Sequence, residues 1–160
     1  MPPEIPAMPL RRLLVSGATG LIGQAVVTAR RAAGDEVVPL VRAAQEPGTI
    51  LWDGGRTPLA PELVSGFDAV VHLAGEPVAS GRWTAEKKRR ILESRVQGTA
   101  ALAEAIARAE QPPAVFLCAS GINFYGDRGD AVLDELAPLG RGFLAAVSYT
   151  HLTLPTKRIV

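Results

Sequence analysis

The stretch that decides the fold is "LLVSGATGLIGQAVV", residues 13–27. An apolar run ends in a loop with glycines at 17, 20 and 23, and a second apolar run follows. A strand that enters a helix through such a loop brings free N–H groups and the positive end of the helix dipole together, which suits a pyrophosphate. Gly17 would form the tight turn, Gly20 would let phosphates approach the backbone, and Gly23 would let the helix pack closely. Alone, the motif also fits a glycine-rich turn without a ligand.

The rest of the sequence alternates strand-like and helix-like segments. Short apolar runs predict strands at residues 12–16, 35–42, 49–53, 68–75 and 114–120. A helix is predicted over 21–33, followed by Gly34 as a left-handed cap, and another over 85–109, with Thr84 as its N-cap. Strands that are apolar on both faces indicate a parallel sheet covered by helices. The expected fold class is α/β, a Rossmann-type doubly wound parallel sheet truncated after about the fifth strand.

Apolar periodicity predicts which face of each helix is buried. For the first helix this face consists of Ile22, Val26, Ala29 and Ala33. For the second helix it consists of Leu92, Val96, Thr99, Leu102 and Ile106. Pro39 is awkward within its strand because it has no N–H to donate to a neighbouring strand.

Composition excludes several classes of function. The 160 residues contain 17 Lys and Arg against 16 Asp and Glu, so the net charge of +1 predicts neither a nucleic-acid nor a membrane-surface partner. The single cysteine, Cys118, permits no internal disulfide and favours a reducing, cytoplasmic location. One cysteine and two histidines do not make an ordinary zinc site, so no metal is expected.

The two ends of the chain are expected to lie outside the folded domain. Residues 1–10 are proline-rich without the apolar run of a signal peptide, and predict a disordered extension. Residues 147–160, "VSYTHLTLPTKRIV", show no apolar face of either period and resemble the translation of a sequencing adapter. They are interpreted as a non-native tail, with a natural irregular tail as the alternative. Residues 11–146 are then an incomplete dinucleotide-binding domain.

Two further positions favour a nicotinamide dinucleotide. Arg42 ends the second strand, 19 residues after Gly23, where a carboxylate would bind the ribose hydroxyl of NAD. An arginine there favours the 2′-phosphate of NADP instead, although a solvated surface arginine fits too. Asp53 ends the third strand, where it is either a partner of the adenine amino group or a plain turn residue.

The segment "HLAGEP", residues 72–77, ends the fourth strand. Ligands of such sheets bind beyond the carboxyl ends of the strands, and the small Ala74 and Gly75 would let a cofactor lie against the backbone. His72 is interpreted as a buried strand residue rather than a base. The complete predicted cofactor site is Gly17, Thr19, Gly20, Leu21, Ile22, Gly23, Arg42, Asp53, Leu73, Ala74, Gly75 and Glu76.

These motifs together resemble one known family. "SGATGLIGQAVV", "HLAGEPVASGRWTAEKKRRILESRVQGTAAL" and "CASGINFYGDRG" are similar to extended short-chain dehydrogenases/reductases. More narrowly they resemble the atypical, epimerase-like branch related to sugar-nucleotide epimerases. The resemblance covers about residues 10–146. It implies a Rossmann domain that binds NADP(H), or less favourably NAD(H), and a substrate domain built largely from a C-terminal half.

The catalytic pattern of that superfamily is missing here. Its members use a Tyr-x-x-x-Lys pair, but Tyr125 is followed four places on by Gly129, and Tyr149 by Thr153. Ser120 resembles the serine that bonds the substrate carbonyl, with a hydroxyl satisfied by nearby backbone as the alternative.

Other polar side chains around the second helix also have alternative interpretations. Arg95 stands where typical members have asparagine, which suggests a different polar network, toward an anionic ligand group in one interpretation. The "KKRR" run, residues 87–90, fits a solvated helix face, with phosphate or substrate contact as the alternative. Trp83 either packs at the helix entry or lines the mouth of the active site.

The sequence predicts an NADP(H)-dependent oxidoreductase or epimerase-like protein acting on a carbonyl or hydroxyl group of a small molecule. The alternative is a non-catalytic NADP(H)-binding sensor or interaction module, which the missing Tyr-x-x-x-Lys favours. Because the chain ends before a substrate domain, the chain itself is expected to be inactive. Its substrate and oligomeric state stay open.

Overall fold

The computed structural model describes residues 11–43 and 47–156, and the predicted N-terminal extension therefore lies outside the described residues. The strands are β1 (Arg12–Ser16), β2 (Glu36–Val41), β3 (Ile50–Leu51), β4 (Ala69–His72) and β5 (Val115–Cys118). The helices are α1 (Leu21–Ala32), α2 (Ala85–Arg108) and α3 (Phe143–Thr156). Single 3-10 turns occupy Pro61–Leu63 and Ile122–Tyr125. Each predicted strand exists, and β3, β4 and β5 are shorter than expected.

The five strands form one parallel sheet in the order β3-β2-β1-β4-β5. The chain moves outward from β1 to β3, then returns to the other side of β1 for β4 and β5. The expected doubly wound Rossmann topology is confirmed, and its switch point lies between β1 and β4. Pro39 is tolerated because β3 pairs only with Leu40 and Val41, so β2 has no outer partner strand at Pro39.

Helix ends follow the local signals. Gly34 has φ +92° after the last turn of α1, as the left-handed cap requires. Thr84 caps α2, because its hydroxyl accepts a hydrogen bond from the backbone N–H of Lys87 at 3.2 Å.

Alternate strand residues build a core on each face of the sheet. The face under α2 is the larger core, and its buried residues include Leu14, Leu40, Val70, Leu102 and Ile106. The face under α1 is smaller and is formed by Leu13, Val15, Val37 and Val71, with Val27 of α1 packed against them. On this second face β5 is uncovered, since Val115 is 44% and Leu117 57% exposed.

The predicted buried face of α1 is wrong. Ile22 is 64% exposed, and Ala29 and Ala33 are exposed as well, while Val26 is half-buried. The helix instead approaches the sheet through buried Gly23 and half-buried Val27, because the glycine allows the closest contact. On α2 the buried face is shifted slightly, to Ile91, Thr99, Leu102, Ala105 and Ile106, with Leu92 partly exposed.

Residues 143–156 are helical, although the sequence predicted no periodic apolar face from residue 147 onward. Val147, Ser148 and His151 are buried, and α3 packs on α2. These positions lie on one helical face, where small and polar side chains fit. His151 hydrogen-bonds through Nδ1 to the carbonyl oxygen of Val147 at 2.8 Å. The non-native origin of 147–160 stays a prediction.

Candidate functional site

A cleft of about 560 Å³ opens at the carboxyl ends of β1 to β4. It brings together most of the predicted cofactor residues, namely Gly17, Thr19, Gly20, Arg42, Asp53, Leu73, Ala74, Gly75 and Glu76. Leu21, Ile22 and Gly23 begin α1 beside the cleft without lining it, and Ser120 does not line it either. The cleft also has lining residues that sequence reasoning did not place there, including Arg56, Arg90, Ser94 and Gln97.

Two glycines of the first loop are required by the fold itself. Gly17 has φ +72°, and a Cβ there would lie 2.7 Å from the backbone of Leu73 and Ala74. A Cβ at Gly23 would overlap the carbonyl oxygen of Gly17. These glycines therefore let the loop after β1 touch the loop after β4 and let α1 start directly beside them.

Gly20 differs, because the fold does not demand a glycine at this position. Its φ is −76°, and a Cβ would meet only the Gly17 carbonyl oxygen, at 3.3 Å. Gly20 is the N-cap of α1 and provides no side chain to accept from the first helical N–H groups. The backbone N–H groups of Leu21, Ile22 and Gly23 have no acceptor within the helix. Gly20 thus leaves open space next to free donors, the environment that an anion favours.

Asp53 organises the turn after β3. Its carboxylate accepts hydrogen bonds from the backbone N–H groups of Gly55, Arg56 and Thr57 at 2.9–3.0 Å and from the Thr57 hydroxyl at 2.8 Å. The hydroxyl of Thr57 is the main reason that the pKa of Asp53 lies below its ordinary value. This geometry favours the plain turn role, and an adenine contact stays a prediction.

The loop after β4 is tied to α2. The backbone N–H of Glu76 donates to the Ser94 hydroxyl at 2.9 Å, and Arg95 donates from Nη1 to the Glu76 carbonyl oxygen at 3.1 Å. The same Arg95 nitrogen also donates to the Ile91 carbonyl oxygen at 3.2 Å. Burial holds the pKa of Arg95 below its ordinary value, against the opposing effect of the Glu76 charge. The Ser-Arg pair of α2 therefore positions this side of the cleft.

The solvated-face interpretation of the "KKRR" run is wrong for Lys87. This side chain is buried, with 5% of its surface exposed, and its Nζ donates to Glu76 Oε1 at 2.7 Å and to the Ser80 hydroxyl at 2.9 Å. The Lys87 hydrogen bond is the main cause of the lowered pKa of Glu76. Arg90 lies 3.6 Å from the same carboxylate oxygen. Glu76 thus anchors its loop to the first turns of α2.

A buried polar pair lies beneath the two loops. Ser16 Oγ and His72 Nδ1 are 2.6 Å apart, and the Ala74 N–H approaches Ser16 Oγ at 3.4 Å. Burial, and then the positive charges of His151 and Arg95, lower the pKa of His72 to about 4. His72 is therefore neutral near pH 7, and its predicted place as a buried strand residue is confirmed.

Comparison with known proteins identifies the family. The model of the NAD-dependent epimerase/dehydratase family matches residues 13–142. The chain belongs to this family. An epimerase family protein of Mycobacterium bovis is 35% identical over 147 residues, which cover 90% of this chain and 48% of that protein. The chain spans about half the length of the curated relatives that it matches.

Solved structures of epimerase-like proteins share this fold. The human epimerase family protein SDR39U1 (isoform 2), solved with NADPH, is 32% identical with a TM-score of 0.79, covering 90% of this chain and 48% of the human one. MoeE5, solved in complex with UDP-glucose and NAD, is 27% identical with a TM-score of 0.74 over 91% of this chain and 48% of its own. The resemblance to epimerase-like short-chain dehydrogenases/reductases is confirmed.

Ser120, the residue with a predicted catalytic role, and Tyr125 both follow the end of β5. Ser120 follows β5 by two residues and is exposed, and its catalytic role stays a prediction. Tyr125 ends a 3-10 turn and is half-buried, with its ring edge against Phe124 at 5.3 Å between centroids. Trp83 packs at the entry of α2, where Nε1 donates to the Val78 carbonyl oxygen at 2.9 Å and the ring meets Phe143.

Within residues 11–43 and 47–156, no group of His, Cys, Asp or Glu side chains is arranged to hold a metal ion. In the same part of the chain, none of the helices combines the length and the apolar character needed to cross a membrane. A cytoplasmic location stays a prediction.

Proposed function

We propose that this chain is the cofactor-binding part of an NADP(H)-dependent oxidoreductase or epimerase-like protein. Its substrate class is a small molecule with a carbonyl or hydroxyl group. The observation that carries the proposal is Gly20, which has an ordinary φ, has no side chain to cap α1, and borders the N–H groups of the first helical turn that have no acceptor within the helix. Relatives solved with NADPH or NAD support the same cofactor class.

The residues of the cleft would suit the pyrophosphate and the adenosine half of a dinucleotide. The amides that begin α1 would hold the pyrophosphate, with Gly17 and Gly20 admitting it close to the backbone. Arg42 follows β2 at the rim of the cleft, which suits the ribose phosphate of NADP. The backbone of Ala74 and Gly75, held by Ser94 and Arg95 through Glu76, would form a fixed wall.

When bound, the nicotinamide ring would accept or donate a hydride. Ser120, beyond the carboxyl end of β5, would hold the oxygen of the substrate by a hydrogen bond. No residue is assigned to proton transfer, because the sequence has no Tyr-x-x-x-Lys pair: Tyr125 is followed four places on by Gly129, and Tyr149 by Thr153. The missing pair favours a second candidate function, an NADP(H)-binding protein without turnover.

The test is a titration of the chain with NADPH and with NADH, in which the fluorescence of the nucleotide reports binding. Gly20→Ala is expected to weaken binding of both nucleotides at least about tenfold, or about 1.4 kcal/mol, because the methyl group fills the space beside the free amides. Its melting temperature should fall only slightly, since the φ of −76° suits any residue and the single close contact, 3.3 Å from the new Cβ to the Gly17 carbonyl oxygen, requires only a small shift.

Gly121→Ala is the matched control, because a Cβ there would have no contact closer than 3.9 Å and Gly121 does not line the cleft. If the wild type binds neither nucleotide, or if Gly20→Ala binds as tightly as the control, the proposed function is wrong. Incubation of the longer protein, of which this chain is proposed to be the cofactor-binding part, with NADPH and a panel of carbonyl compounds separates the two candidates. Oxidation of NADPH that depends on a carbonyl compound supports the enzyme.

A further inference from the structure

Two arginines line the β2–β3 end of the cleft. Arg42 follows β2 directly, and Arg56 belongs to the turn after β3. Both line the cleft, and within residues 11–43 and 47–156 neither guanidinium forms a hydrogen bond or an ion pair. By contrast, the guanidinium groups of Arg12, Arg89 and Arg90 lie close to carboxylates.

The turn that carries Arg56 is fixed in place. The Asp53 carboxylate accepts hydrogen bonds from the turn backbone, including the N–H of Arg56 itself at 2.9 Å. Gly55 has φ +91°, and a Cβ there would lie 2.5 Å from the carbonyl oxygen of Gln97 on α2. The turn therefore packs directly against the backbone of α2. This contact fixes the position of the Arg56 Cα beside the cleft.

The acidic side chains that line the cleft are already engaged. Asp53 is bound by its own turn, and Glu76 is bound by Lys87 and approached by Arg90. Glu93 lies 4.0 Å from Arg89. Asp53 keeps its negative charge, because its partners are neutral donors, but among the described residues Arg42 and Arg56 outnumber it at the β2–β3 end. The net charge there is positive, and a small dianionic group would be a matching ligand.

We propose that Arg56 is a second ligand, beside Arg42, for the 2′-phosphate of NADP(H), and that it determines the preference for NADP(H) over NAD(H). This inference rests on the proposed function. Guanidinium groups at two neighbouring strand ends offer the phosphate more hydrogen-bond donors than Arg42 offers alone. Arg56 would act only on the phosphorylated ribose, because NAD(H) has a hydroxyl there.

Stacking of the Arg56 guanidinium on the adenine ring is the competing role. It would serve NADPH and NADH alike, since both contain the same base. The ratio of the two affinities therefore distinguishes a phosphate ligand from a stacking partner. A second probe, 2′,5′-ADP against 5′-AMP, isolates the same difference without the nicotinamide half.

The experiment measures the dissociation constants of NADPH and NADH for the chain and for Arg56→Ala, Arg56→Lys and Arg42→Ala. Arg56→Ala should lose at least about tenfold in NADPH affinity, the loss of a charge-assisted hydrogen bond, while NADH affinity stays within about twofold. Arg56→Lys should recover part of the loss, because it keeps the charge without the planar pair of donors. Arg42→Ala should show the same selectivity.

Arg108→Ala is the control for net charge. This exposed arginine is in the last turn of α2, and it does not line the cleft. An equal loss for both nucleotides in Arg56→Ala would assign Arg56 to adenine stacking and overturn the inference, as would no loss for either. Failure of the proposed function is distinct, because the wild type would then bind neither NADPH nor NADH.

Discussion

The two faces of the sheet differ in how they are closed. The face under α2 is covered across its width, and it also holds the buried polar residues Ser16, His72 and Thr99. The face under α1 is covered at β1, β2 and β4 and open at β5, where Leu117 is 57% exposed. Apolar side chains that point to the two faces are therefore expected to contribute very differently to the free energy of unfolding. The identity of a strand residue says less about its energetic role than the helix that covers it.

The largest difference between the faces is expected for leucine truncation. Leu102→Ala, on the closed face, should reduce the free energy of unfolding by about 2–5 kcal/mol, because Leu102 has no exposed surface and its removal leaves a cavity. Leu117→Ala, on the open face, should change it by about 0.5 kcal/mol or less. Urea unfolding followed by circular dichroism measures both, and similar losses would mean that the open face is covered in solution.

A smaller effect is expected at the anchor of α2. Glu76→Ala should cost about 2–3 kcal/mol, because it leaves the buried ammonium of Lys87 without its carboxylate. Glu86→Ala, which removes an exposed carboxylate paired with Arg89, should cost about 0.5 kcal/mol or less. Denaturation midpoints at neutral pH compare the two. Equal midpoints would contradict a buried ion pair at the start of α2.

The polar side of the closed face predicts a pH dependence. The pKa of His72 is about 4 in the fold against the ordinary 6.5, because burial and then the charges of His151 and Arg95 oppose protonation. Between these values the unfolded chain binds a proton that the folded chain does not. Stability is therefore lost as the pH falls, by about 2 kcal/mol between pH 6.5 and about 4.5.

His72→Gln is the control for this pH dependence, since glutamine does not titrate. As the pH falls from 6.5 to about 4.5, the wild type should lose more stability than the variant, because only the wild type has the His72 imidazole to protonate on unfolding. Parallel curves across this range would show that His72 is not buried in its neutral form.

The smallest effect is expected at the amino-terminal ends of β1 and β2. Arg12 Nε and Glu36 Oε2 are 2.8 Å apart across β1 and β2, but both side chains are about half exposed. Glu36→Gln should lower stability by about 0.5 kcal/mol or less, and high salt should remove the difference. A loss comparable to that of Glu76→Ala would erase the distinction between buried and exposed ion pairs.

The sequence predicted what depends on local pattern. Strand positions, the Thr84 cap and the left-handed Gly34 all come from short-range preferences, and parallel pairing follows from strands that are apolar throughout. The cleft could be predicted because strand ends of a doubly wound sheet converge at one switch point. The Gly17 and Gly23 roles followed from the same topology.

What the sequence did not predict depends on contacts between distant segments. Lys87 is a charged residue in a charged run, and only the return of Glu76 toward α2 explains its burial. Ile22 is exposed because Gly23 and Val27 make the contact with the sheet instead. Arg56 lies in a Pro- and Gly-rich passage without periodicity. The one local pattern near Arg56 is the spacing of Asp53 and Thr57, which is typical of a turn held by an aspartate side chain. Such a turn keeps Arg56 close to the end of β3.

The contact between Gly17 and the backbone of Leu73 and Ala74 has a consequence for engineering. The two loops are separated in the chain by more than fifty residues, yet they fit each other without room for a methyl group. A chimera with a homologue whose breakpoint lies between the two loops would combine a loop after β1 from one protein with a loop after β4 from the other. Chimeras that exchange both loops together should therefore survive more often than chimeras that exchange either one alone.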